Sequence, residues 1–219
     1  MSSSVAIVDY GLGNLFSINQ ACEYVGLKPV ITADVKVLEN ANALILPGVG
    51  AFGDAAQSLT ENKLIEPILE FVESGKPFLG ICLGMQLLFT QSEEFGHHQG
   101  LNLIKGKIKK FPPFDQTGKL NKVPQIQWNQ IYKNTNETWN KSPLKDIEDG
   151  TFMQFVHSYY AEPEERSKIL SFTEYGGIQY ASSVIQDNIV GIQFHPEKSA
   201  AQGLMIYKSW ADFIKNKSY

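Results

Sequence analysis

The sequence has little of what holds small secreted proteins together, because only two of its 219 residues are cysteine, Cys22 and Cys82. A framework of disulfides is therefore excluded, and the fold must depend on a hydrophobic core. Apolar residues make up 43% of the chain, which is enough for one large domain over residues 1–219. The chain also lacks an apolar run long enough to cross a bilayer and a basic-then-apolar leader. We therefore expect a single cytoplasmic domain without membrane contact.

A strong excess of charge of one sign is also absent. The formal net charge is -4 and the isoelectric point is near 5.6, which argue against nucleic acid or an anionic membrane as the main partner. The one basic stretch, residues 105–110, alternates lysines with apolar residues. This alternation predicts a strand with one solvated face rather than a binding surface.

Two kinds of hydrophobic pattern divide the chain. In the first half, apolar segments alternate with helical periodicity, which predicts a doubly wound α/β fold. The predicted strands there cover residues 5–8, 30–32, 43–46 and 78–81, and the helices cover 15–25 and 64–74. Later segments are shorter and extended, which predicts a β-rich C-terminal half. Its strands cover 107–110, 127–132, 151–156, 169–174, 178–184 and 189–194, with loops at 112–124 and 162–166 and a closing helix at 202–215.

Cys82 stands between Gly80 and Gly84, where a strand is expected to pass into a helix. Apolar residues up to Ile81 predict a buried parallel strand, and residues 85–90 continue with helix formers. This arrangement is typical of a nucleophile elbow, in which glycines leave room around a strained backbone. Backbone N–H groups at the helix start would favour a thiolate and later hold an oxyanion. A buried structural cysteine at a tight turn is the alternative interpretation.

A histidine far along the chain supplies the base that such a thiol needs. The predicted strand over 189–194 leads into His195, and Pro196 turns the chain so that Glu197 can reach back to the imidazole. A thiol nucleophile, a histidine base and a carboxylate that orients the base make a catalytic triad. Cys82, His195 and Glu197 are therefore the candidate catalytic residues, although a lone histidine at a strand end is more often structural.

The elbow and the His195-Pro196-Glu197 turn resemble the Cys-His-Glu triad of class I glutamine amidotransferases. Further motifs resemble the glutaminase subunits of imidazole glycerol phosphate synthase, in the order found in that family. These motifs are Ile7-Val8-Asp9-Tyr10-Gly11-Leu12-Gly13-Asn14-Leu15, Leu46-Pro47-Gly48-Val49-Gly50-Ala51-Phe52-Gly53-Asp54, Phe155-Val156-His157-Ser158-Tyr159 and Gln193-Phe194-His195-Pro196-Glu197-Lys198-Ser199. The resemblance implies a flavodoxin-like fold with a doubly wound mixed sheet, and hydrolysis of glutamine to glutamate and ammonia.

The resemblance also implies roles around the triad. The backbone N–H groups of Val49 and Leu83 would form the oxyanion hole. Four residues would hold the amino and carboxylate groups of the substrate: Gly50, Gln86, Ser158 and Tyr159. Lys198 would pair with an acidic residue of the partner, a separate (β/α)8-barrel cyclase/synthase subunit that forms a heterodimer and receives the ammonia through a channel. No cofactor is implied.

The remaining histidines do not suggest a metal site. His157 follows an apolar run and is interpreted as structural, and His97 and His98 lie in a polar segment where we expect solvated side chains. None has metal-ligand spacing with the two cysteines, so no metal is predicted.

The chain departs from the family pattern at three glutamines. Gln125 and Gln127 replace the histidine and glycine of Val-Pro-His-x-Gly-Trp-Asn, and Gln154 replaces a tyrosine before Phe-Val-His. In the family these segments face the synthase, so a paralogue that supplies ammonia for amidation of a surface polysaccharide sugar is an alternative. A flavodoxin-like redox or stress protein and a noncatalytic regulatory homologue are alternatives of other classes. The His-Pro-Glu turn argues against the first of these, and the retained triad argues against the second.

Overall fold

The structure, a computed structural model, describes residues 4–216 of the chain. Its strands are β1 (Ser4–Val8), β2 (Lys28–Thr32), β3 (Ala43–Leu46), β4 (Phe78–Ile81), β5 (Phe89–Ser92), β6 (His98–Gln99), β7 (Ile104–Lys110), β8 (Gln125–Lys133), β9 (Thr151–His157), β10 (Tyr159–Pro163), β11 (Ile169–Tyr175), β12 (Ile178–Gln186) and β13 (Ile189–Ile192). Its helices are α1 (Leu15–Tyr24), α2 (Val35–Asn40), α3 (Phe52–Glu61), α4 (Ile65–Glu73), α5 (Leu83–Leu87), α6 (Asn136–Asn140) and α7 (Ala200–Asn216), with 3-10 turns at Arg166–Lys168 and Pro196–Lys198.

The parallel part of the sheet has the strand order β2-β1-β3-β4-β13. Strands β3, β4 and β13 are buried along their whole length, as expected where helices cover both faces of a parallel sheet. β13 lies beside β4 with Ile192 opposite Ile81. The residues that follow these two strands, Cys82 and Gln193, therefore emerge side by side at the carboxyl edge of the sheet, where α/β folds bind ligands.

The second half continues the sheet with antiparallel strands, from β13 through β12 and β10 to β7. Strands β11, β8 and β9 extend it in a branch from β12. The predicted α/β class with a β-rich second half is confirmed. The prediction for the basic stretch is also confirmed, because Lys105 and Lys107 of β7 are exposed whereas Ile104 and Ile108 are buried.

The core lies on both faces of the sheet. On one face it includes Ile18 of α1 with Tyr207 and Trp210 of α7, so the predicted C-terminal helix is present and packs against the sheet. On the other face it includes side chains of α2, α3 and α4. None of the helices within residues 4–216 is long and apolar enough to cross a membrane.

The helix predicted over residues 85–90 is wrong in its second half. α5 ends at Leu87, and strand β5 begins at Phe89. The backbone N–H groups of Leu101 and Leu103 donate to the carbonyls of Leu87 and Leu88, at 2.8 and 2.9 Å. These long-range bonds occupy carbonyls that a longer helix would use, which periodicity along the sequence cannot reveal.

Strand β13 also ends earlier than predicted, at Ile192 rather than Phe194. The chain leaves the ladder because the backbone N–H of His195 donates to the carbonyl of Gln154 in β9, at 2.9 Å. The sequence reasoning did not identify helices α2, α3 and α6 or strands β5, β6 and β10.

Candidate active site

Cys82 occupies a strained turn between β4 and α5. Its φ of 56° and ψ of -112° are unusual for a residue with a side chain. A Cβ atom at Gly84 would collide with the carbonyl oxygen of Leu46, and one at Gly80 would lie 2.9 Å from the carbonyl oxygen of Gly84. Only glycine fits at these positions, so the two glycines allow the close backbone approach that places the cysteine at the end of the strand.

Glu197 orients the imidazole of His195. The His195 Nδ1 and Glu197 Oε1 atoms lie 2.8 Å apart, and both side chains are almost completely buried. Burial opposes protonation of His195, but the negative charge of Cys82 and hydrogen bonds to Cys82 and Glu197 outweigh it and raise the pKa of His195 to about 10. Because Nδ1 is engaged by Glu197, Nε2 is the nitrogen that remains for Cys82.

The turn that carries His195 is tied to strand β9 through Ser199. The Ser199 hydroxyl donates to the carbonyl of His195 at 2.7 Å and accepts from the backbone N–H of Gln154 at 3.0 Å. Together with the His195 N–H bond to the Gln154 carbonyl, these contacts fix the backbone on both sides of the imidazole. Ser199 belongs to the motif over residues 193–199, but its position in the sequence does not predict this role for its hydroxyl.

A cavity of about 280 Å³ opens beside Cys82 and His195. Every site residue named from the sequence lines it, except Glu197, which lies behind the imidazole. The lining residues are Val49, Gly50, Cys82, Leu83, Gln86, Glu94, Pro124, Val156, His157, Ser158, Tyr159, His195 and Lys198. The structure therefore brings together residues that are more than 140 positions apart in the sequence.

The loop over residues 47–50 packs directly against the first turn of α5. A Cβ atom at Gly48 would lie 2.8 Å from the Cβ of Leu83, so only glycine allows this contact. The Tyr10 hydroxyl donates to the carbonyl of Pro47 at 2.7 Å and so anchors the loop. Val49 and Leu83 are thus neighbours at the cavity, next to Cys82.

Gln86 is oriented by two acceptors. Its Nε2 donates to the Tyr159 carbonyl and to Oε1 of Gln193, both at 2.9 Å. Both amide hydrogens are therefore used inside the protein. Any bond from the Gln86 side chain to a substrate must come through Oε1, which accepts and suits an ammonium group rather than a carboxylate.

Sequence reasoning missed Glu94, which lines the cavity with only 8% of its surface exposed. Its Oε2 accepts a hydrogen bond of 2.7 Å from the backbone N–H of Phe52, at the start of α3. Burial raises the pKa of its carboxyl, and the bond to Phe52 opposes that rise. Glu94 follows a polar stretch without periodicity, so no pattern in the sequence marks it as buried.

His157 is buried in a polar cluster beneath the cavity. Its Nδ1 donates to the Tyr159 carbonyl at 2.8 Å, and its Nε2 lies 3.3 Å from the Tyr180 hydroxyl. Burial lowers its pKa to about 4, so the ring is neutral at pH 7. His97 is exposed as expected, whereas His98 is half-buried in β6. Among residues 4–216 no group of three or more histidine, cysteine or acidic side chains is arranged to hold a metal ion.

The three departures from the family pattern occupy different environments. Gln125 is completely buried and accepts a hydrogen bond of 3.0 Å from the Tyr180 hydroxyl, so it does not lie on a partner-facing surface as expected. Gln127 is exposed and Gln154 is half-buried. Gln125 itself therefore cannot contact a partner, although Gln127 in the same segment is exposed.

A family model for "Glutamine amidotransferase class-I" matches residues 6–209. The chain belongs to the class I glutamine amidotransferases.

Among curated proteins, the chain is 47% identical over 210 residues to the imidazole glycerol phosphate synthase subunit HisH of Geobacter metallireducens, covering 95% of this chain and 98% of that one. It is also 47% identical to the HisH subunit of Syntrophotalea carbinolica, covering 95% and 99% of the two chains. Among solved structures, a chain of PurLQS from Thermotoga maritima superposes with a TM-score of 0.73 at 18% identity, over 97% of this chain and 99% of that one. At this identity the superposition supports the fold alone.

Proposed function

We propose that this chain is the glutaminase subunit of imidazole glycerol phosphate synthase. In this proposal it works in the cytoplasm as one domain, hydrolyses glutamine to glutamate and ammonia, and delivers the ammonia to a (β/α)8-barrel subunit in histidine biosynthesis. The 47% identity to two HisH subunits, over nearly the full length of the chains, supports the assignment to histidine biosynthesis. The observation that carries the chemistry is the buried chain of contacts from Cys82 through His195 to Glu197 at one cavity.

The reaction is acyl transfer to sulfur followed by hydrolysis. The Cys82 thiolate attacks the side-chain amide carbon of glutamine, after its proton has passed to His195. His195 then gives the proton to the leaving nitrogen, and ammonia departs. A water molecule, deprotonated by the same imidazole, hydrolyses the thioester to glutamate. Glu197 holds the ring in position and stabilises its charged form.

Stabilisation of the tetrahedral intermediate falls to backbone groups. As the first residue of α5, Leu83 has an N–H without a partner inside the helix. The N–H of Val49, in the loop packed against Leu83, is proposed as the second donor to the oxyanion. Because the loop over 47–50 is a separate segment, a partner that shifts it would switch the second donor on or off.

The glutamine substrate is proposed to enter with its amino group toward Glu94 and Gln86. Both side chains line the cavity and present acceptor oxygens, which match an ammonium group. The α-carboxylate would then be held by Gly50, Ser158 and Tyr159. Glu94 is an addition to the ligands implied by the sequence.

An exposed apolar surface beside the cavity supports the proposal that a large partner subunit binds there. In the β8–β9 hairpin, Ile126 lies opposite Val156, and Trp128 lies two residues further along the same face. These side chains and Phe152 are exposed. Apolar clusters of this kind are rare on surfaces that face only water, so this one is expected to be covered by a partner. Val156 also lines the cavity, so a subunit docked here would cover its mouth and receive ammonia away from bulk water.

Lys198 is the exposed cation at the same rim and is proposed to pair with an acidic residue of that subunit. The synthase for surface polysaccharide amidation is the second candidate partner. It is favoured by one observation, namely that Gln154, a departure from the family pattern, lies opposite Trp128 on the same face of β8 and β9.

The test is to mix the purified chain with each candidate synthase and measure glutamate release with and without its acceptor substrate. We expect the histidine-pathway barrel, loaded with its acceptor, to stimulate hydrolysis, and the sugar-amidating synthase to have no effect. The double variant Gln125→His with Gln127→Gly, which restores the family residues, should be stimulated as well. Stimulation by the sugar system alone would refute the pathway while leaving the glutaminase chemistry intact.

A further inference from the structure

Gln193 contacts the sulfur of Cys82 from beneath the cavity. It follows β13, its surface is completely buried, and its Nε2 atom lies 3.8 Å from the Cys82 Sγ. The register of β13 and β4, which places Ile192 opposite Ile81, explains this contact, because each residue is the next one after its strand. The carbonyl oxygen of this side chain orients Gln86, and its amide nitrogen lies beside the sulfur.

The orientation of the Gln193 amide follows from its neighbours. The Tyr159 carbonyl can only accept, so the group that Gln86 directs toward it must be the amide nitrogen. That nitrogen also meets Gln193 at 2.9 Å, and the Gln193 atom there must be the carbonyl oxygen. The remaining end of the Gln193 amide, its NH₂ group, is therefore the end that faces the sulfur.

Besides His195 and Gln193, the sulfur has a polar neighbour in the carbonyl oxygen of Val156, at 3.9 Å. A carbonyl accepts and so favours the thiol, whereas an N–H donor favours the thiolate. When the thiol proton moves to His195, the Val156 contact loses its hydrogen bond and the Gln193 contact gains strength. Gln193 is thus the neighbour that stabilises the reactive form.

We propose that Gln193 is a further catalytic residue, whose amide N–H donates to the Cys82 sulfur and stabilises the thiolate that attacks glutamine. This inference rests on the proposed function, because it takes Cys82 as the nucleophile. Gln86 holds Gln193 in place, which gives Gln86 a second role besides its contact with the substrate.

The test measures the rate of alkylation of Cys82 by iodoacetamide as a function of pH, in the full chain carrying Cys22→Ala. Gln193→Leu should raise the midpoint of the profile by about one pH unit, a tenfold loss of thiolate at a given pH. Gln193→Glu keeps an acceptor for Gln86 but has no donor for the sulfur, so it should raise the midpoint at least as far. Gln125→Leu, a completely buried glutamine without contact to the sulfur, should keep the original midpoint.

An unchanged midpoint in a folded Gln193→Leu or Gln193→Glu variant would overturn the proposal. Circular dichroism and thermal melting identify folded variants, and Gln193→Met replaces Gln193→Leu if the latter does not fold. Failure of the proposed function is a separate outcome, since it would appear as glutamine hydrolysis that persists in Cys82→Ser. The alkylation profile does not depend on glutaminase activity, so the two failures are distinguishable.

Discussion

The Asn14 amide nitrogen donates to Oε1 of Glu197 at 3.2 Å, across 183 positions of the sequence. The same oxygen lies 2.8 Å from Nδ1 of His195. Asn14 therefore holds the Glu197 carboxylate in place, and that carboxylate in turn orients the His195 imidazole. Within residues 4–216 the other oxygen of Glu197, Oε2, is buried and has no hydrogen-bond partner, so Oε1 alone carries these contacts.

His195 and Glu197 should contribute unequally to turnover. His195→Ala removes the group that moves protons and should lower kcat by roughly 10⁴-fold or more. Glu197→Gln keeps the shape but removes the charge, and we expect a smaller loss, on the order of 10²-fold to 10⁴-fold. A coupled glutamate assay of the complex measures both. Equal rates for the original chain and His195→Ala would contradict the assignment.

Cys82→Ser should abolish glutamine-dependent synthesis by the complex, because a serine hydroxyl is far less acidic than the thiol. Synthesis from added ammonia should survive, since the partner's own chemistry is untouched. Both activities are followed by formation of the partner's product. Cys22→Ala is the control, because Cys22 is buried in the core and burial, with a contribution from Glu23, raises its pKa to about 12. Hydrolysis at the original rate in Cys82→Ser would show that another group is the nucleophile.

Glu94→Gln should raise the KM for glutamine more than it lowers kcat. The amide keeps the size of the side chain and an acceptor oxygen for Phe52 but loses the charge that would pair with the substrate's ammonium group. The expected increase in KM is roughly ten- to a hundredfold, the value of a hydrogen bond to a charged group. Steady-state kinetics of the complex test this, with the exposed neighbour Glu93→Gln as control. If KM is unchanged, Glu94 is not a substrate ligand.

Trp128→Asp should weaken binding of the partner subunit by at least about tenfold, because it places a charge on the apolar face of the β8–β9 hairpin. Val30→Asp is the matched control, since Val30 is also exposed but lies on β2, the outermost strand of the sheet. Titration of the complex by calorimetry gives the affinities, and equal losses of affinity in Trp128→Asp and Val30→Asp would argue against this face.

Lys198→Glu should chiefly reduce stimulation of glutamine hydrolysis by the partner, because it would place like charges across the proposed interface.

His157 should make the protein sensitive to acid. Its pKa is lowered to about 4 in the fold by burial and is near 6.5 when unfolded. Above pH 6.5 the His157 imidazole is neutral in both the folded and the unfolded state, so it does not reduce the free energy of unfolding. As the pH falls from 6.5 to 4, His157 binds a proton in the unfolded state but not in the folded state, and this lowers the free energy of unfolding by up to about 3 kcal/mol. Urea unfolding at several pH values should show a shallower loss in His157→Gln, whereas the exposed His97→Gln should keep the original slope.

Short sequence motifs were enough to predict the three residues of the proposed triad. The elbow around Cys82 and the turn from His195 to Glu197 are local structures, and their backbone demands appear as glycine and proline in the sequence. The cavity lining by Val49, Gly50 and the other residues was expected only through the resemblance to a family, because no periodicity in the chain links these segments to Cys82.

The α/β class, the β-rich second half and the residues of the proposed triad could be predicted from the sequence, since hydrophobic period and residue type are local properties. Only the tertiary structure decided the end of α5, the burial of Gln125 and the contacts of Asn14, Glu94 and Gln193. These features depend on which strands lie side by side. The pairing of β4 with β13 joins segments about 110 residues apart, and such pairings are set by the packing of the whole sheet rather than by any one segment.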